Sequence, residues 1–138
     1  QAAVGVAQLE RASYILSSKQ RIFEKYYELL SNHGFIFNSS SDNSIFNSHW
    51  LVVVSHPLIL KKGVDELERQ MKLIGIDVRK VFYPLSCMPK YKIYCVGNFD
   101  SADKLFNSYI CLPSSPSLTE NQIKRISSKV LMILESTI

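Results

Sequence analysis

The apolar positions near the start of the chain recur with a helical period. Leu9, Ala12, Leu16, Phe23, Tyr26 and Leu30 fall at a/d spacing, and Ile15, Ile22 and Leu29 widen the stripe by one column. Glu10, Ser13, Ser17, Ser18, Arg21, Glu24, Lys25 and Glu28 occupy the opposite face. Only Lys19 breaks the seam; its aliphatic stem is expected to lie along apolar surface while its amine reaches water. The spacing predicts one helix over 4–31, stopped by Asn32 and Gly34, with one of the two in a left-handed terminal position. A helix of about 28 residues is about 42 Å long. That is long for so small a domain and predicts a helix that runs on toward another one.

Beyond it the pattern shortens and alternates. Phe35–Phe37 is a short strand candidate, 38–44 a loop too rich in Ser, Asn and Asp to bury, and Trp50–Ser55 a β-branched run that reads as the best strand in the chain. Val64, Leu67, Met71 and Ile74 define one face of a helix over 64–74 that Gly75 stops. Ile76–Val81 reads as a strand leading into the Pro-punctuated loop Tyr83–Tyr91, and Tyr91–Val96 as extended. Ser101 is placed to cap a short helix through about Ser108, with Tyr109–Leu112 after it as a short strand or extended segment. The last helix opens on Thr119 and Gln122 in capping-box spacing (Ser117 and Glu120 offer a second register) and presents Ile123, Ile126, Val130 and Ile133 to the core. The order α-β-β-α-β-α-β-α with short strands predicts an α+β fold: a small, mostly antiparallel sheet with flanking helices. Trp50 is expected in the core.

Composition alters this picture little. The 138 residues are 46% hydrophobic and 20% charged, as in an ordinary globular domain. No apolar run approaches the roughly 18–20 residues of a membrane span, and no leader-like segment is read at the N-terminus, so a cytoplasmic protein is expected. Cys87, Cys95 and Cys111 form no CxxC pair and have no His or Asp clustered beside them; reduced thiols are expected rather than a zinc site. Charge says more. Between Lys61 and Lys92 lie eight basic residues and four acids, so this segment carries the entire net +4 and the rest of the chain balances. Such a local field suits a phosphate or diphosphate ligand, and it also suits a solvated helix face. It is too small, and too bare of nucleic-acid motifs, for a protein that tracks DNA or RNA.

Four stretches carry a more specific signal. The opening segment 1–10 (QAAVGVAQLE), Trp50–Val54 (WLVVV), Gly75–Arg79 (GIDVR) with Phe82–Leu85 (FYPL) and Met88–Tyr91 (MPKY), and Ile110–Thr119 (ICLPSSPSLT) follow one another along the whole chain. In this order and spacing they resemble the C-terminal small domain of the DegT/DnrJ/EryC1/StrS family of pyridoxal-phosphate-dependent sugar aminotransferases. The third and fourth look most like the branch that makes 4-amino sugars on nucleotide carriers, of the perosamine-synthase kind. The resemblance implies a fold-type I protein, with residues 1–33 as a long interdomain helix and 34–138 as an α+β body. It also implies a large cofactor-binding domain outside this chain, and a homodimer with active sites at the subunit interface. The implied reaction moves an amino group from an amino acid, glutamate by resemblance, to a nucleotide-linked keto sugar, as in lipopolysaccharide or O-antigen synthesis. A dehydratase of the same family and a stand-alone binding module are the alternatives.

The lysine that would hold the cofactor is expected upstream of Gln1, so this chain alone is expected neither to bind pyridoxal phosphate nor to catalyse. Its expected contribution is substrate binding. Arg79 heads that list, because a guanidinium grips phosphate or carboxylate at two points, although a surface arginine at a strand end reads equally well. Tyr83 offers a hydroxyl or simply packs, Pro84 and Pro89 shape the loop, and Tyr91 marks its far edge. Ser86 stands where many relatives carry His; a hydroxyl hydrogen-bonds but does not titrate near neutrality, which puts proton handling at this position in doubt. His33, His49 and His56 are read as structural, and Cys87 as an exposed thiol without a lowered pKa.

Overall fold

The computed structural model describes residues 2–39 and 44–136. The N-terminal stripe forms two helices, α1 (Ala2–Glu10) and α2 (Ala12–Leu30), where one was expected. Arg11 interrupts them at φ −103°, ψ 5°, with its N–H on Gln8 O at 3.1 Å, a three-residue reach. The physical reason is packing: no residue of α1 is buried, so nothing holds the first turns in line with α2. In α2, Ile22, Phe23, Tyr26 and Leu30 enter the core, whereas Leu9 and Leu16 of the same stripe remain exposed. Its end matches the reading: Ser31–His33 tightens into a 3₁₀ turn and Gly34 closes it at φ 82°, a left-handed position that glycine adopts without strain.

Among the described residues four strands form one sheet in the order β1-β2-β4-β3, every pair antiparallel: β1 (Ile36–Phe37), β2 (Val52–Ser55), β3 (Arg79–Lys80) and β4 (Tyr109–Leu112). This is the α+β architecture the pattern predicted. The strand read over Ile76–Val81 shrinks to two residues. Tyr91–Val96 is not extended, since Lys92–Tyr94 makes a 3₁₀ turn through Cys95 N–H to Lys92 O at 3.2 Å. An additional helix, α3 (Pro57–Lys62), precedes α4 (Val64–Leu73), capped by His56: its Nδ1 accepts from Leu58 N–H at 3.1 Å. That leaves the proton on Nε2, which donates to His33 O at 3.1 Å. The short helix α5 (Asp100–Ser108) begins two residues earlier than a cap at Ser101 implies; Phe99 holds the N-cap position without a side-chain bond, and Asn98 Oδ1, one residue before it, accepts from Asp100 N–H at 2.7 Å. The capping box of α6 (Glu120–Glu135) forms as predicted on Thr119 and Gln122. The polar loop expected over 38–44 lies largely outside the described residues.

Register sorts the sheet into two faces. Paired residues share a face in an antiparallel sheet. Val52 opposite Leu112 and Val54 opposite Ile110 point into the core, where they meet Ile22, Tyr26, Leu30, Leu67, Met71, Ile123 and Val130 from the helices. Val53 opposite Cys111, with Cys111 opposite Arg79, lies on the other face. α2, α4 and α6 therefore cover one side, and the other side is the one that carries Arg79. Among the described residues no helix is long and apolar enough to cross a membrane.

Candidate functional site

The open sheet face is where the sequence-predicted residues begin to converge. Arg79, at the end of the edge strand β3, stands exposed beside Asp77, with Nη2 and Nε at 2.8 and 3.2 Å from Asp77 Oδ2. It borders two adjoining depressions that share Leu51 and Cys111. One, of about 230 Å³, adds Trp50, Lys80 and Phe82. The other, of about 280 Å³, runs to Pro113, Ser114 and Ser115.

Trp50 is not in the core. It is 63% exposed and stacks on Phe82, itself 73% exposed, with ring centroids 6.0 Å apart and planes 25° from parallel. The reason is position: the strand begins at Val52, so the inward alternation starts two residues after Trp50 and the indole falls on the lip of the open face. That lip is fixed from the helix side. Lys19 donates to Trp50 O at 2.9 Å, to Ser114 O, and to Ser114 Oγ at 3.3 Å. Its amine is thus held among oxygens and not, as expected, in open water, and burial lowers its pKa. Tyr26 Oη donates to Pro113 O at 3.0 Å and Arg21 to Leu118 O at 2.9 Å, so α2 clamps the segment after β4 at three points.

A larger apolar depression, about 480 Å³, lies between the sheet and α5. Val53, Tyr109, Phe82 and Pro84 meet Leu105 and Phe106 there. The loop predicted from Tyr83 onward supplies a wall through buried Pro84. Tyr83 turns edge-on to the Phe106 ring at 5.1 Å, half exposed. Ser86 sits in a 3₁₀ turn, Leu85–Cys87, and Tyr91 follows at the loop's far end with Lys90 Nζ 5.9 Å above its ring. Cys95 ties these two together, its Sγ 3.9 Å from Ser86 O and 3.5 Å from Tyr91 O. The structure thus pairs Ser86 with Tyr91, sets Tyr83 against α5, and places Arg79 with Trp50 and Phe82.

Arg69, Arg79 and Lys80 of the 61–92 segment pair with acids of the same segment, which leaves its net excess in place. Arg69 forks onto Glu66 at 2.7 Å by both bonds, which pulls the carboxyl down to about 2, and Lys80 pairs with Asp65. Cys87 is exposed and donates to Asp103 at 3.2 Å; that bond to a carboxylate raises its pKa. His49 is buried, stacked on Phe23 with centroids 3.8 Å apart, and takes φ 45°. Its N–H on Asn47 Oδ1 supports that turn. Burial lowers its pKa, against a smaller raising effect from Glu24. Among the described residues no three His, Cys, Asp or Glu side chains gather as a metal site. The residues that sequence reasoning missed are Trp50, Phe82 and Lys19. The exposed aromatics of FYPL gave one usable signal; the bonds of Lys19 reach 31 and 95 positions along the chain and gave none.

A model described as the DegT/DnrJ/EryC1/StrS aminotransferase family matches residues 1–131. GDP-perosamine synthase of Vibrio cholerae is 34% identical over 129 residues, covering 91% of this chain and 34% of that protein. The GDP-perosamine synthase of Escherichia coli O157:H7 is 31% identical over 132 residues, covering 94% and 34%. The aminotransferase TlmJ of Streptoalloteichus hindustanus has the same fold, with a TM-score of 0.84 at 20% identity over 98% of this chain and 36% of its own. The chain spans about a third of the length of the curated relatives it matches.

Proposed function

The chain belongs to the DegT/DnrJ/EryC1/StrS aminotransferase family, and from that premise we propose that it is the C-terminal small domain of an enzyme that aminates a nucleotide-linked keto sugar. The donor is an amino acid, glutamate by family likeness, the sugar carrier is GDP as in the named relatives, and the enzyme works in the cytoplasm as a homodimer. The observation that carries this reading is the extent of the match, which runs through all four motif stretches and includes the whole open face.

Pyridoxal phosphate, when bound, supplies the electron sink for amino transfer. The two lysines that border the open face do not fit it. Lys80, at the edge of the open face, is paired with Asp65, and Lys19 gives its amine to three oxygens, so neither offers an amine to a carbonyl group. By family likeness the cofactor lysine lies in the large domain. What this domain contributes is a wall over the substrate. Arg79 presents a two-pronged cation, Tyr83 and Tyr91 border the loop that faces the sugar, and Ser86 holds a hydroxyl in place of a titrating imidazole. Loop, strand end and apolar depression exclude water from one side of the bound substrate, which strengthens the electrostatics inside.

Two measurements test this. The gene is read upstream of the codon for Gln1, where a frame continuing through an active-site lysine is expected; a histidine at that position would instead indicate a dehydratase. The protein so defined is then assayed for amino transfer from glutamate to a GDP-linked keto sugar. Turnover is expected from it and none from residues 1–138 alone. Robust turnover by the shorter chain sinks the reading.

A further inference from the structure

Two aromatic rings left in water beside an arginine need an explanation that the reaction does not supply. Trp50 and Phe82 stack with centroids 6.0 Å apart, yet they keep 63% and 73% of their surface exposed. They border one depression of about 230 Å³ whose remaining wall includes Arg79 and whose floor is Leu51 and Cys111. We propose that the Trp50–Phe82 pair is the stacking platform for the nucleobase of the nucleotide-linked sugar, with Arg79 taking its diphosphate. The proposal rests on the functional reading above and names the part of the substrate that this face holds.

The chemistry of the three side chains selects the ligand. A flat π-system gains from lying on an exposed ring pair, and every base has such a face. A sugar alone brings no anion to Arg79, and an inorganic phosphate makes no use of the rings. A nucleoside diphosphate uses both. Arg79 is free to change partners, because its pair with Asp77 is exposed on both sides and such pairs add little. A diphosphate brings more charge and matches the guanidinium fork. Lys80 borders the same depression, but its amine is committed to Asp65 and sits 5.4 Å over the Phe106 ring, so Arg79 is the cation that faces the ligand. The second depression continues from Arg79 to the hydroxyls of Ser114 and Ser115, a polar path along which the phosphates and sugar leave the base. Lys19 is a positioning residue: it anchors Trp50 O and Ser114 together and so holds both ends of this path.

The chain contains one tryptophan, so the platform carries its own probe. The chain is titrated with GDP while Trp50 emission is followed, excited at the red edge of the indole band, clear of guanine absorption. Saturable quenching is expected with GDP, weaker binding with guanosine, and no quenching with inorganic diphosphate at matched ionic strength. Phe82→Ala and Trp50→Ala, the latter read by calorimetry, are expected to weaken GDP binding roughly 5- to 150-fold, the range for losing one base stack. Trp50→Phe should stay near wild type, and Arg79→Gln should weaken GDP while leaving guanosine unchanged. Both rings are exposed, so the alanine variants keep the core, and unfolding midpoints equal to wild type verify it. Unchanged GDP binding in the alanine variants, or no binding of any nucleotide, overturns the proposal. If the complete enzyme still aminates its GDP-linked sugar with KM unaltered in the same variants, the platform falls and the functional reading stands. If GDP binds through the rings but the complete enzyme transfers no amino group, the functional reading falls and the platform stands.

Discussion

Trp50 shows how one residue's role turns on where a strand starts. With pairing beginning at Val52, the indole rests on the lip of the sheet, so its emission is expected at the long-wavelength, water-exposed end and open to acrylamide quenching; a blue-shifted, protected emission would put it back in the core. Lys19 is the residue that fixes this lip. Replacing it by methionine removes three hydrogen bonds from a charged donor and is expected to cost about 2 kcal/mol in urea unfolding. His49 gives the chain a pH dependence. Burial lowers its pKa in the folded state, so below about 6.5 the unfolded chain takes up a proton that the folded chain refuses. The unfolded state then binds more protons, and stability falls as pH drops through that value toward the lowered one; above it the effect is absent. Unfolding free energies should hold level at neutral pH and decline as pH falls below about 6.5. His49→Asn, which tolerates the left-handed backbone, should flatten that decline. Glu66, held down to about 2 by its bonds from Arg69 and Gln70, keeps its stabilising contribution throughout this window and loses it only as pH falls below the ordinary carboxylate range.

At the scale of elements, local signals and packing divide the outcome. The capping box on α6 is a two-residue instruction read in the chain and met in the structure, with Thr119 N–H on Gln122 Oε1 at 2.9 Å and Gln122 N–H on Thr119 Oγ1 at 3.3 Å. Thr119→Ala is expected to destabilise by about 1 kcal/mol in denaturant unfolding, and Thr119→Ser to restore most of it. The first helix went the other way. Its stripe is regular enough to predict one rod, yet a stripe is a demand for a partner, and only the half over α2 finds one in this domain. The strand over Ile76–Val81 shortened for a related reason: Ile76 and Val78 are buried without strand pairing, so their apolar character follows burial rather than extension. In Tyr91–Val96 the aromatic and β-branched residues imitate a strand, but no neighbour lies alongside to accept its ladder, and the backbone turns back on itself.

At the scale of the molecule, the sheet is covered on one side by α2, α4 and α6 and only in part, by α5, on the other, and α1 presents Val4, Val6 and Leu9 at 67%, 56% and 75% exposure. Apolar surface of this kind associates in water. Weak, concentration-dependent self-association is therefore expected in sedimentation velocity, and Leu9→Glu should reduce it; a clean monomer across a broad concentration series contradicts the expectation. The exposed side of α1 is the surface that a large domain would cover in the proposed enzyme.

The sequence by itself determined what depends on near neighbours along the chain or on a pattern repeated within one element. The core stripe of α2, the stop at Gly34, the capping box, the strands β2 and β4, and the family-bearing motifs are all of this kind, and with them the α+β class. Tertiary structure alone decided which face of the sheet is open, and that Arg79 meets Trp50 and Phe82 there while Ser86 and Tyr91 are tied elsewhere. It also decided that Lys19 holds oxygens at Trp50 and Ser114. Strand order and register bring together residues tens of positions apart, and no periodicity within a segment encodes which segment lies beside it.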